Sequence, residues 1–118
     1  MKVAIATDDG MFVSTHFSRA DRLAVVTVDR GVIVARELRS AAQQDARRNS
    51  PSVPERQDQV LARIADCTLV VAGHIGWQAR ERMTDLGLEP IVTDLTSVNE
   101  AAAECAAGCI VNLAQPLH

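Results

Sequence analysis

The sequence contains no tyrosine, two phenylalanines and one tryptophan among its 118 residues. With aromatics at 3%, successive bases would find almost nothing to stack on, which argues against a single-strand nucleic-acid platform. Positive charge is also short: the formal net charge is −3, whereas nucleic-acid binders usually carry a basic face. No apolar run approaches the roughly 20 residues that span a bilayer. The opening run of MKVAIATDDG stops at Asp8, too soon for a signal-peptide core. The expectation is a cytoplasmic protein that uses neither nucleic acid nor membrane. Cysteine is sparse as well. Cys67, Cys105 and Cys109 are odd in number and lack the spacing of a small disulfide scaffold, so no disulfide framework is implied. Cys105 shares a helical stripe with Val98, Ala101 and Ala102 and should be a buried thiol; Cys67 opens a buried strand and should face the core. Lysine is nearly absent: Lys2 stands against eleven arginines. Base composition of the genome can cause this, but a planar guanidinium fork also grips polyatomic anions better than an ammonium does.

What remains is aliphatic. Hydrophobic residues make up 47% of the chain, enough for one ordinary domain with a core of Val, Ile, Leu and Ala. KVAIAT reads as a buried strand stopped by the turn signal Asp8-Asp9-Gly10. RLAVVTVD is a second strand, and Arg30-Gly31 turns it into VIVARELR, a hairpin pattern. Residues 40–53, SAAQQDARRNSPSV, have no periodicity and form a loop of the length that is usually functional or mobile. Pro54 opens a helix, PERQDQVLARIAD, with Gln57, Val60, Leu61 and Ile64 on one face and a possible capping box from Ser52 to Glu55. CTLVVAG is a strand buried on both faces. GWQARERMTDLG is a helix with Ala79, Met83 and Leu86 inward and Gly87 as its stop. EPIVTD is a fifth strand, and SVNEAAAECAAG a last helix capped by Ser97 and Glu100 and closed by Gly108. CIVNLAQPLH, residues 109–118, is a tail with no assigned place, so the domain is bounded at 1–108.

A meander followed by helix–strand–helix–strand–helix predicts an α/β fold. Right-handed crossovers place the fourth strand beside the first. The expected architecture is a ribonuclease H-like three-layer arrangement: a five-stranded mixed sheet of order about 3-2-1-4-5 with helices on both faces. Four strands then end at one rim, where three helices begin. That rim receives His16, the loop bearing Arg47 and Arg48, the turn Gly73-His74-Ile75-Gly76, and Asp94-Leu95-Thr96. Ligands of open α/β sheets favour this crevice, and free helix amides there favour anions. Each residue is weak alone. His16 between strands is more often a turn or packing residue than a ligand; His74, flanked by glycines, is better placed for an exposed imidazole. Arg47 and Arg48 would ordinarily be solvated surface, and the two glycines form neither a P-loop nor a dinucleotide fingerprint. Ser14 and His16 do not make a nucleophile–base pair, since strand neighbours two apart do not meet.

The segments MKVAIATDDGMFVSTHFSRADRLAVVTVDRGVI, LARIADCTLVVAGHIGWQARERMTDLGLEPIVTD and VNEAAAECAAG resemble the dinitrogenase iron–molybdenum cofactor-binding family. That family's small proteins carry nitrogenase cofactor or its precursors and include an orange protein holding a molybdenum–copper sulfide cluster. The resemblance implies a ribonuclease H-like fold and makes His16, in HFSRA, the counterpart of a cofactor-contacting position. The chain also departs from the pattern. Thr15 and Ser18 stand where members commonly have glycine, the loop after the third strand lacks histidine and cysteine, and His74 stands where small residues are common. Either the ligand set has shifted, with His74 replacing loop ligands, or the cargo is held without coordination by Arg19, Arg47, Arg48, helix amides and apolar contact from Ile75 and Trp77.

Three functions follow. The first is a non-enzymatic carrier or scaffold for an anionic molybdenum/iron or molybdenum–copper sulfur cluster at the rim. Its site would comprise His16, Arg19, Arg47, Arg48, Gly73, His74, Ile75, Gly76 and Trp77, with His16 and His74 as metal ligands and separate cluster donor and acceptor proteins as partners. The second is a protein-interaction module that has lost its cluster. The third is a metal-dependent nuclease built on Asp8, Asp9 and Asp94, which lacks a further acidic residue to complete a two-metal site. Oligomeric state is open.

Overall fold

The computed structural model describes residues 1–40 and 60–113. Its sheet consists of β1 (Lys2–Thr7), β2 (Arg22–Asp29), β3 (Val32–Ser40), β4 (Leu69–Ala72) and β5 (Glu89–Val92), in the order β3-β2-β1-β4-β5. The pairs β1–β2 and β2–β3 are antiparallel, while β1–β4 and β4–β5 are parallel. This is the order expected from the pattern of elements. β1 is central, flanked by β2 and β4, and its Val3–Ala6 stretch is fully buried. A continuous apolar run is what a strand covered on both faces requires.

Alternation along the strands splits the core in two. On one face Ala4, Ala6, Leu23, Val25, Val70 and Ala72 meet Val60, Leu61 and Ile64 and the inward side of helix α1 (Trp77–Asp85). On the other, Val3, Ile5, Ala24, Val26, Val71 and Ile91 meet helix α2 (Val98–Ala107). Residues 60–62 are the helical end of the segment expected after Pro54, and Val60, Leu61 and Ile64 are buried as its apolar face predicts. Its Ser52–Glu55 cap and Gln57 lie outside the described residues.

The β2–β3 hairpin turns on Arg30 (φ 53°) and Gly31 (φ 79°). Two successive positive φ angles are the two-residue turn that matches strand twist. A bulge opposite Thr27/Val28 follows, so that Val34 has no register partner. At the far end of β3 Arg39 donates from Nη1 and Nη2 to both Asp66 carboxylate oxygens at 2.7 and 2.9 Å and from Nη1 to the Arg63 carbonyl at 2.8 Å. Lys2 Nζ donates to the same carboxylate at 3.0 Å. Together these donors hold the Asp66 carboxyl well below the usual carboxylate range.

Two expectations need correction. Leu86 is not inward: α1 ends at Asp85, Leu86 is its C-cap and is 61% exposed. The core position belongs to Leu88, 3% exposed, whose N–H returns to the Met83 carbonyl at 2.7 Å. Residues 109–113, left unplaced by sequence, run back along the outside of β5. Asn112 accepts from Val92 N at 3.0 Å and donates to the Pro90 carbonyl at 2.9 Å, and Leu113 N donates to Val92 O at 2.8 Å.

Candidate functional site

The carboxyl ends of β1, β3, β4 and β5 share one rim, and α1 and α2 both start there. β1 leaves the sheet through Asp8-Asp9-Gly10. Asp9 Oδ1 accepts from Met11 N at 2.8 Å and Phe12 N at 3.0 Å, and these amides hold its carboxyl below the ordinary value. Buried Thr7 donates from Oγ1 to the Phe12 carbonyl at 2.6 Å and accepts from Gly10 N at 2.9 Å. Asp8 Oδ1 accepts from Asp21 N at 3.0 Å, and its carbonyl accepts from Arg22 at 2.8 Å. Both aspartates are therefore engaged in shaping the backbone between β1 and β2.

Residues 11–14 then cross the rim under main-chain restraint. Val13 N donates to Thr96 O at 2.7 Å, Val98 N to Met11 O at 2.9 Å, Ser14 N to Ala6 O at 2.7 Å and Gly73 N to Ser14 O at 2.9 Å. His16 follows, between anchored neighbours. Ser14 Oγ donates to the His16 carbonyl at 3.0 Å, Phe17 is buried, and Phe17 N donates to the His74 carbonyl at 2.9 Å. This last bond ties the two histidine-bearing segments together. The His16 and His74 rings stand 5.4 Å apart between centroids, at 78° to one another. His16 is half-buried and His74 exposed.

Gly73 allows that approach. A Cβ there would lie 3.0 Å from both Thr15 Cα and Thr15 O, and 3.2 Å from Ser14 O. What requires glycine here is the backbone of another segment pressed against it. Gly76 has no such neighbour, since nothing lies within 4 Å of an added Cβ. It is the N-cap of α1 and offers no side-chain cap, whereas Ser97 Oγ accepts from Glu100 N at 3.3 Å at the start of α2. The uncapped first turn of α1, next to His74, leaves main-chain donors and the positive dipole end for an anion, worth about 0.3–1 kcal/mol at an exposed site.

The remaining expected residues divide. Arg19 is exposed in the short 3₁₀ turn Phe17–Arg19, and Trp77, 61% exposed, opens α1. Ile75 is 2% exposed and packs in the core beneath α1; its side chain anchors the turn and is not presented at the rim. Arg47 and Arg48 lie outside the described residues. Ser14 Oγ engages the His16 carbonyl, in keeping with the absence of a Ser–His pair. No group of three histidine, cysteine, aspartate or glutamate side chains able to hold a metal ion occurs among the described residues. The thiols stand elsewhere. Cys67 precedes β4 at the opposite end of the sheet and Cys105 is buried in α2, and burial pushes each up to about 11. Cys109 is exposed beyond α2. Sequence reasoning missed the exposed pair Met11 and Phe12, fixed at the rim by Asp9 and Thr7. The Thr7–Asp9 turn chemistry was the available signal.

Residues 1–108 match the model of the family described as dinitrogenase iron-molybdenum cofactor. The chain belongs to that family. Membership points to a cofactor-binding or carrier role. Solved structures agree in fold. The apo orange protein from Desulfovibrio gigas is 21% identical, with a TM-score of 0.72 over 99% of this chain and 96% of its own. A Methanocaldococcus jannaschii protein provisionally named a dinitrogenase is 13% identical, with a TM-score of 0.72 over 98% and 97%. A Thermotoga protein provisionally named NifB is 18% identical, with a TM-score of 0.65 over 99% and 97%. At these identities the likeness is one of fold. No curated protein matches the chain. No helix among the described residues is long and apolar enough to cross a membrane.

Proposed function

We propose that this member of the dinitrogenase iron-molybdenum cofactor family is a non-enzymatic carrier that holds an anionic molybdenum- or iron-containing sulfur cluster as cargo at the rim. The observation that carries the reading is the His16–His74 pair beside the uncapped start of α1. Two imidazoles on one tetrahedral ion, each nitrogen about 2.0–2.1 Å from it, have ring centroids roughly 5 Å apart; the observed separation of the edge-to-face pair, 5.4 Å, is close to that, and ligation of one ion would require the rings to turn a nitrogen each towards it. Imidazole suits iron and copper. Two protein ligands leave the other positions of such an ion to sulfides of the cargo. Arg19 and the α1 amides then offset the cluster's charge. Exposed Met11, Phe12 and Trp77 offer apolar contact to the cargo or to donor and acceptor proteins, and the cytoplasm is the compartment this role implies.

The nuclease alternative needs acidic groups around paired metals. Asp8 and Asp9 are instead occupied with backbone amides, so nothing favours that reading.

The test is anaerobic reconstitution with iron, sulfide and molybdate, and separately with tetrathiomolybdate and copper, followed by desalting, visible absorption and metal analysis. A coloured, stoichiometric complex is expected. His16→Ala and His74→Ala should each weaken retention about tenfold, equivalent to about 1.4 kcal/mol. Absence of charge-transfer absorption under every condition refutes the carrier. Unchanged retention in the double variant refutes ligation and moves the holding role to Arg19 and the helix amides.

A further inference from the structure

Among the described residues the buried polar side chains are Thr7, Ser14 and Thr93. A hydroxyl taken out of water costs free energy unless it is hydrogen-bonded, and each of these spends its bond on a loop at the rim. Thr7 Oγ1 serves Gly10 and Phe12, and Thr93 Oγ1 accepts from Leu95 N at 3.2 Å. Ser14, 7% exposed, differs in what lies at the far end of its bond, which is a member of the histidine pair. Two main-chain bonds tie the strap to the turn after β4, Gly73 N to Ser14 O and Phe17 N to His74 O, each 2.9 Å. His16 sits on the arch between those ties. Its backbone is extended, with φ −127° and ψ 126°, and its carbonyl accepts twice, from Ser14 Oγ at 3.0 Å and from Arg19 N at 3.2 Å. The second is a 3₁₀ bond, whose geometry is the poorer kind. The hydroxyl is therefore the firmer brace on the arch, and the arch carries the ring.

We propose that Ser14 is the positioning residue of the histidine pair: its hydroxyl braces the arch that sets the His16 ring edge-to-face against His74. The purpose of the brace rests on the carrier reading, whereas the brace itself is a matter of geometry alone. A ligand that must be immobilised at the moment of capture binds less well than one already held, because the ordering cost falls on binding. His16 is half-buried and flanked by buried Ser14 and Phe17, so it is the held member of the pair. His74 is exposed and is the member free to turn towards an incoming ion. Groups that orient a ligand from behind are commonly worth about 10–100-fold in metal affinity. Ser14 acts at one remove further, through the main chain, which sets the expected effect at the lower end of that range.

The test is proton NMR of the full chain without cargo, reading the imidazole ring signals and the cross-peak between the His16 and His74 rings, which the 5.4 Å edge-to-face contact should produce. Ser14→Ala should weaken or abolish that cross-peak and shift both sets of ring signals, while the amide spectrum stays that of a folded chain. Thr15→Ala, at the exposed neighbour, should leave the cross-peak in place. Ser14→Cys keeps nearly the same volume with a weaker donor and should lie between; it decides the matter if Ser14→Ala does not fold. After reconstitution, cluster retention by Ser14→Ala should fall about tenfold. An unaltered cross-peak and unaltered ring signals in folded Ser14→Ala or Ser14→Cys overturn the proposal, as does retention unchanged although the rings have moved. If the unaltered chain retains no cluster, the carrier reading fails, and the ring signals still report whether Ser14 holds the pair.

Discussion

Gly73→Ala is the sharpest test of how the histidines are brought together. The new methyl would sit 3.0 Å from Thr15 Cα and O and 3.2 Å from Ser14 O, and all three are backbone atoms with no side-chain freedom to yield. Relief requires the strap of residues 13–16 to lift, and lifting it strains the 2.9 Å Gly73 N–Ser14 O bond. Overpacking of this kind costs about 1–3 kcal/mol, and loss of the bond about 0.5–1.5 kcal/mol more. For a domain of this size the loss corresponds to a fall in Tm on the order of 5–15 °C. The strap carries His16, so cluster retention should fall along with stability. Gly76→Ala is the control. It has open space and φ −60°, and the weaker N-cap roughly offsets the gain from a stiffer unfolded chain, leaving a net change within about 0.5 kcal/mol. Urea unfolding of both variants decides. Equal stability of Gly73→Ala, Gly76→Ala and the unaltered chain would refute the close-approach argument.

Three further outcomes can be checked by similar means. Asp66→Asn should cost up to about 1 kcal/mol at neutral pH, as the pair is partly exposed; the folded carboxyl titrates well below the unfolded one, so the difference should begin to shrink as pH falls below about 4 and go on shrinking towards the low folded value, and a pH-independent difference would contradict the ion pairing. In the native chain at pH 8 a maleimide should label Cys109 alone, since the other two thiols titrate near 11. Raised folded values also mean that stability present below about 9 is lost between about 9 and 11 as the unfolded thiols ionise; rapid labelling of all three would contradict their burial. Leu88→Ala should destabilise by about 2–5 kcal/mol, while Leu86→Ala should stay within about 0.5 kcal/mol, a contrast that reverses if α1 packs one turn further along.

The sheet was legible because its signals are local and periodic. VAIA in the first strand and LVVA in the fourth are apolar without interruption, which suits strands covered on both sides, and Arg30-Gly31 dictates its own turn. The histidine pair was legible only as two residues on one rim. Their contact depends on Gly73 accepting the Ser14–Thr15 backbone, which lies almost sixty residues away in sequence and leaves no periodic trace. Leu86 was misread because helical spacing carries it inward for as long as the helix continues. The helix stops one residue earlier, and Leu88 takes the place. The tail was unreadable for a related reason: Asn112 works through its amide group, imitating a strand's donor and acceptor, and such imitation has no hydrophobic pattern.

That amide has a consequence for anyone who shortens the chain. With Asn112 and Leu113 removed, the Val92 N–H and the carbonyls of Pro90 and Val92 would meet solvent on a flat flank. An exposed row of unpaired main-chain groups on an edge strand is a template on which another chain can pair. Truncations before residue 112 should therefore be watched for fibrous precipitates rather than for simple unfolding.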